Sequence, residues 1–158
     1  MTNKRGYDFE NRVGLLLFKL TRKFPSHISV RRQVKLELHN GDEVIPDFEL
    51  SVNLGYQIDT HLIECQSRIK STPDIKRKIG EMKSLSSRNR FLFVFEDEEF
   101  LSPTHRKSLE SDGVNLYSFV QFKEYVGALS AVMTRIHKKD QVTGVIPSFM
   151  NGKPPQNH

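Results

Sequence analysis

Cysteine is almost absent: Cys65 is the single one in 158 residues. No internal disulfide can form, and a reducing cytoplasm is the expected setting. Long apolar runs are lacking too. The longest, VGLLLF at 13–18, falls well short of the roughly 20 residues that span a bilayer, so no membrane partner is expected. The opening MTNKRGYDFE places acids ahead of any apolar block and does not read as a signal peptide. No Walker-type phosphate loop, no GxGxxG and no nucleophile elbow occurs. The six histidines have no metal-ligand spacing, and His61 reads as a strand-end residue. Repeats and interdomain linkers are also missing.

What is present is an ordinary soluble balance, 37% hydrophobic and 27% charged residues, in a chain long enough to bury one core. The net charge is +5 and the pI near 9.4. Its distribution is uneven. Residues 1–35 carry nine Lys and Arg against Asp8 and Glu10, and residues 68–90 carry eight against Asp74 and Glu81. Such segregation is the footprint of a polyanion, most often nucleic acid, although a solvated basic face is the plainer alternative.

Periodicity orders the elements. Phe9, Val13, Leu16, Leu17 and Leu20 form one helical stripe over 7–22, which Phe24-Pro25 closes. ISVRRQVKLEL and EVIPDFELSVNL read as two strands around an Asn40-Gly41 type I′ turn, and QIDTHLIECQSR as a third. A second helix starts at STPD and spans 73–86. RFLFVF at 90–95 reads as a buried strand, 103–112 as a short helix, GVNLYSF as a strand, and 120–139 as a closing helix. The expected organisation is one domain over 1–143 with a flexible tail at 144–158.

Two polar positions then stand out. Asp47 opens the polar face of the second strand, directly after Pro46. Glu64 and Gln66 share one face of the third, because residues i and i+2 on a strand project together. Carboxylates converging from adjacent strands make a hard-oxygen site suited to Mg²⁺ or Mn²⁺. Glu49 shares the parity of Asp47 and is a weaker ligand candidate. Cys65 points the other way, as a small buried residue. The plainer reading of Glu64 and Gln66 is a solvent-facing edge strand.

IPDF followed by LIECQ resembles the signature of the PD-(D/E)xK nuclease superfamily, and GYDFENRVGLLL resembles the first helix of its Mrr-like and Holliday junction resolvase-like members. The resemblance spans roughly residues 6–120 as architecture. It implies an α/β, restriction-endonuclease-like fold with an αβββαβ core and a mixed central sheet flanked by helices. It further implies a Mg²⁺- or Mn²⁺-dependent endodeoxyribonuclease in which Asp47, Glu64 and Glu10 bind metal. In that family the backbone carbonyl at the Cys65 position also often contributes. Gln66 stands where the family has lysine; it would orient the attacking water, with Arg68 or Lys70 as alternative sources of the missing charge. Arg12, Arg68, Lys70, Lys76 and Arg77 are the expected phosphate contacts. DNA, double-stranded or branched, is the expected partner, and a homodimer the expected assembly. The rival readings are a catalytically inactive nuclease-fold module that binds nucleic acid or serves assembly, and a basic domain that binds protein.

Overall fold

A computed structural model of the chain describes residues 4–38, 40–67, 77, 80–81, 90–96, 102–110 and 115–143. The described elements run α1 (Lys4–Lys23), β1 (Ile28–Arg32), β2 (Leu36–Glu37), β3 (Glu43–Val44), β4 (Phe48–Asn53), β5 (Ile58–Gln66), β6 (Arg90–Phe95), α2 (Pro103–Glu110), β7 (Asn115–Ser118) and α3 (Phe119–Thr143). Five strands form a mixed sheet in the order β1-β4-β5-β6-β7. The β1/β4 and β4/β5 pairs are antiparallel, and the β5/β6 and β6/β7 pairs are parallel. Among the described residues no helix is long and apolar enough to cross a membrane.

The helical stripe on α1 does what its spacing requires. Phe9, Val13, Leu17 and Leu20 are buried against Phe48, Leu50, Val52 and Ile63 of the sheet, with Leu16 at the margin. Each fully buried side chain of this size is worth about 1.5–3 kcal/mol relative to exposure. Gly14 lets the helix come close: a Cβ there would lie 2.9 Å from the buried Phe48 ring. α3 covers the same face through Phe119, Phe122 and Met133. It starts at a reciprocal cap, in which Gln121 N–H donates to Ser118 Oγ (3.2 Å) and Ser118 N–H to Gln121 Oε1 (3.0 Å). The Ser-x-x-Gln spacing at 118–121 carried that signal, and the helix accordingly begins one residue before the expected 120.

The three-strand meander needs correction. Its first strand is broken after Arg32, where Gln33 adopts φ 56°, and a separate β2–β3 ribbon is inserted before β4. The two long sequence runs are therefore four strands. The turn at Asn40-Gly41 is not type I′ either, because only Gly41 of that pair has positive φ (89°). Gly41 N–H donates to Leu38 O (3.0 Å) and Leu38 N–H to Asp42 O (2.6 Å). That is the three-residue loop in which the αL position ends the turn and glycine avoids the Cβ clash. Arg77, Gly80 and Glu81 are helical, as expected for the 73–86 helix. The rest of that helix lies outside the described residues, as does the 144–158 tail.

Candidate functional site: a carboxylate cluster at the sheet rim

The start of β4 and the ends of β1, β5 and β6 meet at one rim of the sheet. In open sheets the carboxyl ends of parallel strands are where ligands commonly bind. Pro46 is buried just ahead of β4, and Asp47 follows it. Phe48 pairs with Ile63 in antiparallel register, so one step further out Asp47 stands opposite Glu64. Asp47 Oδ2 accepts the Cys65 N–H at 2.8 Å, which pins the carboxylate to the neighbouring strand. Glu64 is 2% exposed. Gln66 ends β5, half-buried, and its carbonyl accepts the Glu96 N–H at 3.1 Å.

Glu10 arrives from the first turns of α1, next to buried Phe9. The helix start lies near the end of β5: a Cβ on Gly6 would sit 3.5 Å from Ser67 Oγ. Gln33 Nε2 donates both to Glu10 Oε1 (3.2 Å) and to Asp47 Oδ1 (3.4 Å). Arg32 Nε donates to Glu10 Oε2 at 3.1 Å, and Arg32 Nη2 contacts the same oxygen.

The electrostatics of this cluster are strained. The Asp47 carboxyl is pushed from 3.8 up to about 9, first by burial, then by the Glu64 carboxylate, and then by hydrogen bonding to Glu10. The Cys65 thiol is likewise raised, first by burial and then by Asp47, Glu64 and Glu10, with Arg32 acting in the opposite direction. Burial beside two other acids therefore favours the protonated form of Asp47.

Three carboxyl side chains and nearby backbone carbonyls are the hard oxygen donors that suit a small divalent cation. Among the described residues, however, no group of three or more His, Cys, Asp or Glu side chains is gathered for metal binding. The Glu10 carboxylate is committed to Arg32 and Gln33.

No protein-family model, no curated protein and no solved structure matches this chain. The case for the site rests on its own residues.

Of the acids expected to share a site, Asp47 lies near enough to Glu64 and Glu10 to feel their charges, but the three are not gathered into a metal-binding group among the described residues. Glu49 is a different matter. It stands opposite Leu62 in β5, and its carboxylate accepts from Arg31 Nε at 3.0 Å, so its polar capacity goes to a cross-strand ion pair. His61 does not end a strand; it is buried within β5, with Nδ1 2.7 Å from Tyr125 Oη. Cys65 does lie with the core-facing residues, half-buried. Of the expected phosphate contacts, Arg12 is exposed with its guanidinium 4.7 Å from the Phe119 ring centroid. Arg77 is exposed and pairs with Glu81 at 3.5 Å. Arg68, Lys70 and Lys76 lie outside the described residues.

Arg32 and Gln33 were missed. Strand alternation assigns consecutive residues to opposite faces, yet both reach Glu10. The positive φ at Gln33 breaks the alternation, and no sequence signal marks a glutamine for that conformation.

Proposed function

We propose that this chain is a divalent-metal-dependent endodeoxyribonuclease. One observation carries the reading: Asp47 is buried at the strand rim beside Glu64 and Glu10, and burial first, then those two acids, push its carboxyl up to about 9. Burying like charges together is costly, and strongly perturbed acids cluster where a ligand or reaction uses them. The donor chemistry favours a hard cation, and the net charge of +5 favours a polyanionic substrate.

Mg²⁺ or Mn²⁺ bound at such a centre supplies Lewis acidity and lowers the pKa of a water. The chain's own residues do the rest. Asp47 and Glu64 supply the carboxylate oxygens, with Asp47 oriented by the Cys65 N–H. Gln66 would orient a water but adds no charge. Arg12 and Arg77, both exposed, are available to backbone phosphates, which position a duplex without reading its sequence. One such centre per chain cuts one strand, so double-strand cleavage calls for a homodimer.

The test is cleavage of supercoiled plasmid and of branched and linear duplexes in Mg²⁺, Mn²⁺ or EDTA. The expected result is metal-dependent nicking that disappears in Asp47→Ala and Glu64→Ala. The commitment of Glu10 to Arg32, together with the uncharged Gln66, favours a second reading: a nuclease-fold module that binds DNA without cutting it. Salt-dependent DNA binding, unaltered by those two substitutions and without cleavage under any metal, would select that reading.

A further inference from the structure

Gln66 leaves the cluster without the cation that phosphoryl chemistry ordinarily needs beside its acids. A guanidinium stands nearby. We propose that Arg32 is the phosphate-binding residue of this site, held by Glu10 until substrate arrives and supplying the positive charge that Gln66 does not. The inference rests on the nuclease reading and extends it to a residue outside the motif.

Three features of Arg32 support this. It is preorganised: its guanidinium lies over two aromatic rings, 5.6 Å from the Tyr7 centroid and 5.5 Å from that of Phe48. Such contacts fix the plane of the cation without neutralising it. It also has spare capacity. A guanidinium has five N–H donors in a rigid fork, and its recorded bonds use Nε and Nη2 on one oxygen of Glu10. Its side chain remains 30% exposed, so a phosphate can reach it. Finally, it is wired to the acids. Glu10 links Arg32 to Gln33, and Gln33 links Glu10 to Asp47.

The backbone maintains this arrangement at a cost. A left-handed conformation costs a residue with a Cβ roughly 1–2 kcal/mol, and Gln33 adopts it at φ 56°. Gln33 N–H donates to Asp47 O at 3.0 Å, which anchors the distortion to the strand that carries the candidate ligand. Strain of this kind persists where surrounding structure over-determines it, and such positions cluster at functional sites. Its consequence is specific: it lets Arg32 and Gln33 act on the same carboxylate.

Were Glu10 to turn from Arg32 toward a cation held by Asp47 and Glu64, the guanidinium would become available for bidentate phosphate binding. Arg32 would then be a counter-ion in one state and a substrate contact in the other.

The test compares wild type with Arg32→Ala and Arg32→Lys in two assays, with urea midpoints confirming that each variant is folded. Single-turnover cleavage of a short duplex at saturating Mn²⁺ is expected to fall about 100-fold in Arg32→Ala, and Arg32→Lys to recover part of it. Binding of the same duplex in Ca²⁺ is expected to weaken, with the slope of log K against log salt reduced by about 0.9. If Arg32→Ala keeps the wild-type rate at saturating Mn²⁺ and an unchanged salt slope, Arg32 is only the counter-ion of Glu10 and the proposal is overturned. If wild type never cleaves but the slope still drops, the phosphate contact stands and the nuclease reading fails. If wild type never cleaves and the slope is unchanged, both fail.

Discussion

Replacing Asp47 with asparagine keeps the shape of the side chain and removes its charge. The amide oxygen still accepts the Cys65 N–H and the nitrogen can donate to Glu10, while Gln33 Nε2 loses the weak 3.4 Å acceptor it has in Asp47 Oδ1. The wild-type carboxyl is raised from 3.8 to about 9 by burial and by the carboxylates of Glu64 and Glu10. Between those values the folded chain holds a proton that the unfolded chain has released. Stability contributed by that proton is complete below about pH 4 and is lost as pH rises toward 9. At pH 7 the full difference corresponds to about 4 kcal/mol, at about 1.4 kcal/mol per pH unit. Water at the half-open rim and small movements of Glu10 reduce it to about 1–3 kcal/mol. Asp47→Asn is therefore expected to be more stable than wild type at pH 7, by about 3–10 °C in Tm for a chain of this size, and equal to it at pH 4. Mg²⁺ is expected to raise the Tm of wild type but not of the variant, because a ligand stabilises only the state that binds it. Urea unfolding of both proteins from pH 4 to 9, with and without Mg²⁺, measures this. A variant less stable than wild type, or a difference independent of pH, refutes the argument and makes Asp47 a structural cap of the Cys65 N–H.

Other consequences follow from the packing. The His61 imidazole is held down to about 4 by burial and by Arg90, so below about 6.5 the unfolded chain takes up a proton that the folded chain refuses. That contribution, about 2 kcal/mol between pH 7 and pH 5, opposes the gain from Asp47 over the same range, so His61→Gln should gain about 2 kcal/mol relative to wild type as the pH falls from 7 to 5. Tyr125→Phe removes the hydroxyl 2.7 Å from His61 Nδ1 and should cost about 1–3 kcal/mol in chemical denaturation. Gly14→Ala sets a methyl 2.9 Å from the Phe48 ring; overpacking of about 1–3 kcal/mol outweighs the helix gain of about 1 kcal/mol, so a lower Tm is expected. Gln33→Gly relieves the positive φ while deleting the amide between Glu10 and Asp47. Stability should move by less than about 1 kcal/mol, whereas single-turnover cleavage should fall.

Most of the architecture was legible because it follows local periodicity. RFLFVF is β6 at 90–95, and the α1 stripe is buried almost residue for residue. The mixed sheet follows from a hairpin-linked β4–β5 pair and then strands separated by long connections, which pair in parallel. The β2–β3 insertion was not legible, since VKLEL continues the β-pattern of ISVRR without a turn signal between them. Only a backbone reversal at an ordinary glutamine separates the two. The candidate site divides in the same way. Asp47 and Glu64 could be placed by parity and register, and Glu10 by its resemblance to the first helix of the nuclease family. Arg32 and Gln33 could not, because their approach to Glu10 depends on a conformation that parity forbids. Glu49 shared the parity of Asp47 but met Arg31 across the β1–β4 pair, a tertiary pairing beyond the reach of alternation.

The central claim is that Asp47 and Glu64 form a divalent-cation centre. Crystals soaked in Mn²⁺ test it most directly, with data collected at the manganese edge. The account predicts an anomalous peak within about 2.0–2.6 Å of carboxylate oxygens from both residues, with Glu10 rotated away from Arg32. No peak at the rim, with Asp47 still capping the Cys65 N–H and Glu10 still bound to Arg32, would contradict it.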